Sequence, residues 1–259
     1  MRKGICKLCK EEKELCEKSH IIPNHSYSPL KDGNQGFLYI DGKTINESAG
    51  KQRRFTGEFE RGILCKDCES RISEFETYGA NFVFNRSLTN IIRREFVNQH
   101  GLKFLETSGS GYDYVKFKLY LLTILWRAAI SSRPFFSNVL LSVDDEENMR
   151  QMIINNNPGE IKDYPCILVL PALMHCGEGF DFQDIGLLGC PVKKELDGFE
   201  RFDFLINGCQ YNFFITKVPD KLKLISVQKD KLIILYLTEE QTLNRRQDII
   251  KVTQDWMKK

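Results

Sequence analysis

Two Cys-x-x-Cys pairs, Cys6/Cys9 and Cys65/Cys68, constrain this chain more than any other feature. A tight turn with this spacing lets two sulfurs reach one ion, and two such turns supply the four thiolates of a closed zinc tetrahedron. The pattern therefore predicts that two segments far apart in sequence meet at one point. The expected cofactor is Zn²⁺ held by Cys6, Cys9, Cys65 and Cys68, in a structural role, because four protein ligands leave no open position for water or substrate. The chain has nine cysteines. Met1-Arg-Lys-Gly-Ile-Cys lacks the long apolar core of a signal peptide, so a reducing cytoplasmic setting is expected, where paired cysteines serve metal rather than disulfides. Cys16, Cys166, Cys176, Cys190 and Cys209 stand singly and read as small buried hydrophobes. Cys16 could also replace a sulfur of the first pair.

The chain's 259 residues allow one large domain or two modest ones. A formal net charge of +2 makes no polycation, so any nucleic-acid contact must come from a local patch. The longest apolar stretch, Leu119 to Ile130, is interrupted by Thr123 and Arg127 and is too short to span a bilayer, so no membrane is expected among the partners. There is no Walker loop, dinucleotide fingerprint or GxSxG elbow. Those absences count against nucleotide-driven, dehydrogenase and α/β-hydrolase chemistry.

The pattern predicts an α+β protein in two parts. Residues 1–85 are rich in Cys, Gly and charge, as in a small module stapled by metal. Within it Gly36-Phe-Leu-Tyr-Ile reads as a strand, Lys51-Gln-Arg-Arg54 as a basic loop, and Glu69 to Asn81 as a helix. Residues 86–259 form an α+β domain of unknown role, helical to about residue 157. Its helices are Tyr114 to Ser131, apolar on nearly every face, and Asp144 to Asn155, capped by Ser142. Arg93-Arg94 and Arg245-Arg246 read as helix surface. An antiparallel β-rich segment follows. It has a strand at Cys166-Ile-Leu-Val-Leu, a hairpin across Asn207-Gly208, two strands between Leu222 and Leu237, and a terminal helix from Thr238 to Trp256.

Between the cysteine pairs lies "SHIIP". With "CKLC" before it and "ILCKDCESRIS" after it, the layout resembles the zinc-stabilised branch of the HNH, or ββα-metal, endonucleases, over the first third of the chain. The resemblance implies a small ββα-metal module that hydrolyses phosphodiester bonds, of DNA more than RNA, in bacterial or phage defence. It implies that His20 is the general base taking a proton from water. That role suits an imidazole, which titrates near neutral pH. Family members commonly carry Asp or His before the base and His directly after the second Cys pair, both on the catalytic ion. Here those positions are Ser19 and Glu69, and Glu60 stands near the usual Asn. Hard cations prefer oxygen, so Glu69 is the candidate ligand for a catalytic Mg²⁺ or Mn²⁺, and Glu60 a weaker one.

The residues leave alternatives open. His20 can instead hold a loop beneath the thiol turns, and the module can be a zinc-stapled nucleic-acid- or protein-binding unit without catalysis. Arg53, Arg54 and Arg61 are the candidate phosphate contacts, with Lys66 and Arg71 nearby, although interleaved acids also suit a solvated surface. His25 reads as a solvent-facing histidine, His100 has no recognised partner, and Met174-His-Cys176 reads as a loop entering the core. The remainder of the chain is expected to position DNA, bind a protein partner or mediate oligomerisation.

Overall fold

The first thiol turn closes a hairpin. In the computed structural model, which describes residues 2–31, 37–39, 52–83, 88–170, 188–196, 198–206 and 209–236, strands β1 (Arg2–Ile5) and β2 (Glu12–Leu15) pair antiparallel, Ile5 opposite Glu12. Lys10, in left-handed conformation at φ 62°, turns the chain back between them. The short β3 (Ser19–His20) follows. A second hairpin, β4 (Phe37–Tyr39) with β5 (Gln52–Arg54), comes before β6 (Phe59–Glu60), which pairs antiparallel with β3. Helix α1 (Lys66–Val83) then begins inside the second thiol turn. Asp67 and Glu69 in its first turn complement the helix dipole, and Ile72, Phe75, Tyr78 and Phe82 repeat at helical intervals to form its buried face.

A third hairpin, β7 (Ile92–Val97) and β8 (Lys103–Ser108), precedes α2 (Tyr114–Ile130) and α3 (Val143–Ile154). The remaining strands are β9 (Cys166–Leu170), β10 (Leu188–Leu196), β11 (Phe199–Ile206), β12 (Cys209–Phe214) and β13 (Lys231–Tyr236). Together with β7 and β8 they form a seven-stranded sheet in the order β10-β11-β12-β9-β13-β8-β7. Every neighbouring pair is antiparallel except β13 with β9. One hydrophobic core runs from Cys6 and Leu8 through α1, α2 and α3 to the sheet, so the cysteine-bearing hairpin shares its packing with the rest of the chain.

Helix α2 is the centre of that core. Asp113 caps it, accepting from the Lys116 N–H at 3.0 Å, and its side chains are buried on almost every face. Lys118 is fully buried and donates to the Tyr164 carbonyl at 2.7 Å; burial pushes its amine down to about 8. Helices α1 and α2 approach closely because α1 carries Gly79, where a Cβ would lie 2.5 Å from the Tyr120 ring.

Several sequence expectations hold. The mixed α and β composition, α2, α3 with its Ser142 cap, β4, β9 and the β11–β12 strands all appear. Others are corrected. Residues 92–108 form a hairpin, not helix, so Arg93 and Arg94 are strand residues. Asn98 makes its turn by accepting from the backbone N–H groups of His100 and Leu102, at 2.9 and 3.0 Å. Gln52–Arg54 of the basic stretch form strand β5, not loop, and Lys51 lies outside the described residues. Between Leu222 and Tyr236 there is one strand rather than two, because Asp220–Ile225 is a 3-10 turn following Pro219. The turn at Asn207-Gly208, the terminal helix from Thr238 with Arg245-Arg246, and Met174-His-Cys176 lie outside the described residues. No helix among the described residues is long and apolar enough to cross a membrane.

The α1–α2 crossing gives a direct test. Gly79→Ala raises helix propensity, yet its methyl meets a ring that has no room to swing. The variant is expected to lose about 1–3 kcal/mol in chemical denaturation, against a gain of up to about 1 kcal/mol were propensity all that mattered.

Candidate metal centre and the adjoining histidine site

Backbone hydrogen bonds place the four sulfurs. The Lys10 N–H donates to the Cys6 carbonyl at 2.9 Å, which closes the first turn, and the Lys7 N–H donates to the Ile63 carbonyl at 2.8 Å, which ties that turn to the approach of the second. The Cys16 N–H reaches the Leu64 carbonyl at 2.8 Å, and the Glu69 N–H reaches the Cys65 carbonyl at 3.0 Å as α1 begins. The sulfurs of Cys6, Cys9, Cys65 and Cys68 consequently lie within 4.8 Å of one another. Zinc–sulfur bonds of about 2.3 Å would put the corners of a tetrahedron about 3.8 Å apart. The set fits a metal ion such as zinc with little adjustment.

The thiol chemistry agrees with that fit. A hydrogen bond from the Cys68 thiol holds Cys6 well below the usual thiol range, helped by the Cys65 N–H at 3.4 Å. The same bond, with burial, raises Cys68, and burial raises Cys65. Hydrogen bonding between the thiols thus pulls Cys6 down as it pushes Cys68 up, and a thiophilic cation would take the place of the proton they share. Cys16 stands outside the set. Its thiol is raised by burial and then by the Glu69 carboxylate.

His20 sits beyond this cluster on β3, opposite Phe59 of β6, with ring centroids 6.3 Å apart in an edge-on arrangement. It is half-buried. Burial lowers its pKa, Arg127 adds to the lowering, and Glu76 opposes both, which leaves a neutral imidazole at pH 7. Lys18 covers the same Phe59 ring, its Nζ 5.4 Å from the centroid. Glu69 occupies the first turn of α1. Burial raises its carboxyl, while the Ser19 hydroxyl and Arg127 draw it back down. Among the described residues neither Glu69 Oε1 nor Ser19 Oγ has a hydrogen bond of normal geometry. An open groove of about 770 Å³ runs along this part of α1, lined by Glu69, Ser73, Glu76, Thr77, Asn81 and Lys116 among others.

The residue that organises the site went unrecognised in the sequence. Arg127 of α2 is buried, and its guanidinium donates to the His20 carbonyl, to Glu76 and, at 3.2 Å, to the Thr123 carbonyl. Glu76, seven residues after Glu69 on α1, is the carboxylate that most affects His20. The one charge within the apolar run from Leu119 to Ile130 was the available signal, since a buried arginine requires acceptors.

The candidate residues separate accordingly. Ser19 lies beside Glu69, and His20 responds to Glu76 and Arg127. Among the described residues, only the four cysteines form a group of three or more metal-ligating side chains close enough to share an ion, so His20 and Glu69 do not complete a second one. Glu60 is engaged elsewhere, accepting from Ser131 Oγ at 2.8 Å and from the Ser132 N–H at 3.2 Å. Arg71 donates to the Ile154 carbonyl at 3.1 Å and to Asn156 Oδ1 at 2.9 Å, capping the end of α3. Arg61 and Lys66 are exposed, His100 is exposed in its turn, and the side chains of Arg53 and Arg54 lie outside the described residues.

His25 is not solvent-facing. It sits in the 3-10 turn Asn24–Leu30 with its ring 6.2 Å from that of Tyr120, and burial pushes its imidazole down to about 4. Its ordinary value is 6.5. Between those values the unfolded chain takes up a proton that the folded chain refuses, so stability falls as pH drops from 6.5 towards 4. The expected loss is on the order of 3 kcal/mol, read by urea denaturation across that window, and His25→Gln should remove much of the slope. An unchanged slope in that variant would show that other groups carry the dependence. Comparison with family models, curated proteins and solved structures finds nothing that matches this chain.

Proposed function

We propose that this protein is a zinc-stapled, metal-dependent nuclease of the ββα-metal kind. The observation that carries the reading is the half-buried imidazole of His20 on β3, paired with β6 and tied to α2 by the Arg127 bond to its carbonyl, followed by α1 with Glu69 and Glu76 on one face. In this reading Zn²⁺ in the thiol cluster contributes the folding energy of the first hairpin and the start of α1. His20 takes a proton from water at a ring nitrogen, and the hydroxide attacks a phosphodiester phosphorus as the bond to the leaving oxygen breaks. Mg²⁺ or Mn²⁺, when bound, supplies positive charge to the scissile phosphate and leaving oxygen. Glu69 is the ligand offered to that ion, its partly desolvated carboxylate being the kind a hard cation stabilises. Lys18, Arg61, Arg53 and Arg54 are offered to the phosphate backbone of DNA. A cytoplasmic setting and a role in bacterial or phage defence belong to the same proposal, on the resemblance alone.

One observation favours a second reading. Among the described residues neither His20 nor Glu69 belongs to a group of three metal-ligating side chains, as expected of a zinc-stapled module that binds nucleic acid or protein without cutting.

Elemental analysis is expected to find about one zinc per chain, lost on replacing Cys65 and Cys68 by Ser. Purified protein with plasmid and single-stranded DNA, in Mg²⁺ or Mn²⁺, should nick, and His20→Ala should reduce nicking about 10²–10⁴-fold while retaining zinc. Equal binding without cutting by both proteins would sink the nuclease and leave the binding module.

A further inference from the structure

Strand β7 ends the seven-stranded sheet, and among the described residues β8 is its only strand neighbour. It is unusually bare for an edge. Ile92 is 50% exposed, Phe96 41% and Val97 61%, although Phe96 also stacks on Phe104 at 5.2 Å. Edge strands are commonly guarded by proline, a bulge or lysine. β7 has no proline or lysine, and its register with β8 runs unbroken from Ile92 opposite Ser108 to Val97 opposite Lys103.

Its charges replace those guards, and their order matters. The Asn98 N–H donates to the Leu102 carbonyl at 3.0 Å, which fixes the alternation of the ladder. Ile92, Arg94 and Phe96 direct their backbone groups towards β8, while Arg93, Glu95 and Val97 direct theirs to the outer side. A second β7 laid antiparallel about a two-fold axis must therefore pair odd residues with odd. Two central registers satisfy that rule. Each centres on one like pair, Glu95 on Glu95 or Arg94 on Arg94, and an axis through Glu95 adds no opposite-charge pair to offset it. An axis through Arg94 sets Arg93 opposite Glu95 of the second copy, twice, and sets Ile92 opposite Phe96 and Ile91 opposite Val97. Arg94 meets its own copy at the axis, and Glu106, opposite it on β8, already accepts from Lys231 at 2.9 Å, so the two Arg93–Glu95 pairs are what offset that contact. Ile-Ile-Arg-Arg-Glu-Phe-Val is thus complementary to its own reverse.

We propose that β7 is a self-association edge at which a second copy of this chain adds antiparallel about Arg94, joining two seven-stranded sheets into one. The inference is independent of the nuclease reading. Whatever interactions Arg93 and Glu95 make within one chain, this register brings opposite charges together across the axis, and two-fold symmetry counts each pair twice.

Sedimentation equilibrium of the full chain over a range of concentrations tests it. The wild type should show a concentration-dependent monomer–dimer equilibrium. Arg93→Glu and Glu95→Arg should each weaken it about tenfold or more, since each replaces two attractive pairs by two repulsive ones. The double swap should restore it, because the pairs are re-formed with reversed sign. Hydrogen exchange of the wild type needs no variant: amides of Arg93, Glu95 and Val97 should exchange more slowly at high concentration than at low. A monomer throughout, a dimer indifferent to both single swaps, or β7 amides that ignore concentration would each overturn the proposal.

Discussion

The guanidinium of Arg127 is the interaction on which the arrangement turns. It is buried in the most apolar of the described helices, and its acceptors come from the strand that carries His20, from α1 and from its own helix. An isolated buried charge is costly, and removing its partners costs about 3–5 kcal/mol. The packing of α2 is therefore tolerable only while β3 and α1 stand where they do. That requirement holds the strand and the helix of the histidine site in one geometry, and it does so from outside the segment bounded by the cysteine pairs. The thiol cluster fixes the other end of α1, so the helix is held at its start by sulfur and along its length by arginine.

The histidine site has an uneven electrostatic character. Burial works against charge on His20, on Glu69 and most strongly on His25, while Arg127 and Glu76 pull in opposite senses on the first two. His20 and Glu69 are linked through shared neighbours rather than to each other, since Arg127 and Glu76 act on both. Such a linkage is also what a packed junction between a strand, a turn and a helix produces by geometry. The same burial serves folding and reactivity, and only activity measurements separate the two.

How much could be seen in the sequence depended on whether the signal was local. The Cys-x-x-Cys spacing is a local geometric demand, and it identified four residues that meet from opposite ends of a long segment. The all-round apolar run of α2 and the Ser142 cap of α3 are also local, and both elements lie where they were expected. The failures were of another kind. Ile92 to Val97 mixes charges and apolar residues without clean alternation, because an edge strand exposed on both faces has no buried side to enforce a period of two. The stretch after Leu222 carries strand-like residues but follows Pro219, and the chain tightens into a 3-10 turn. Arg127 and Glu76 belong to a tertiary contact with no spacing rule. For the site, the sequence indicated the imidazole and the carboxyl after the second cysteine pair, but not the arginine that unites their supports.

A further coupling follows from Arg150. This buried arginine of α3 reaches across to the carbonyl of Leu8, a residue inside the first thiol turn, and Lys7 of the same turn donates to the Ile130 carbonyl at 3.3 Å. Glu147 neutralises the guanidinium through two hydrogen bonds of 2.7 and 2.6 Å, but the Nη1 donor that faces Leu8 is left without its acceptor when that carbonyl moves away. Opening the turn that presents Cys6 and Cys9 would therefore be felt at once in α3, and through Ile130 at the end of α2. Were an ion held by these sulfurs, its loss would then be felt cooperatively by the helices rather than as the fraying of one hairpin, and the hold of the thiols on it would depend partly on residues that never touch it.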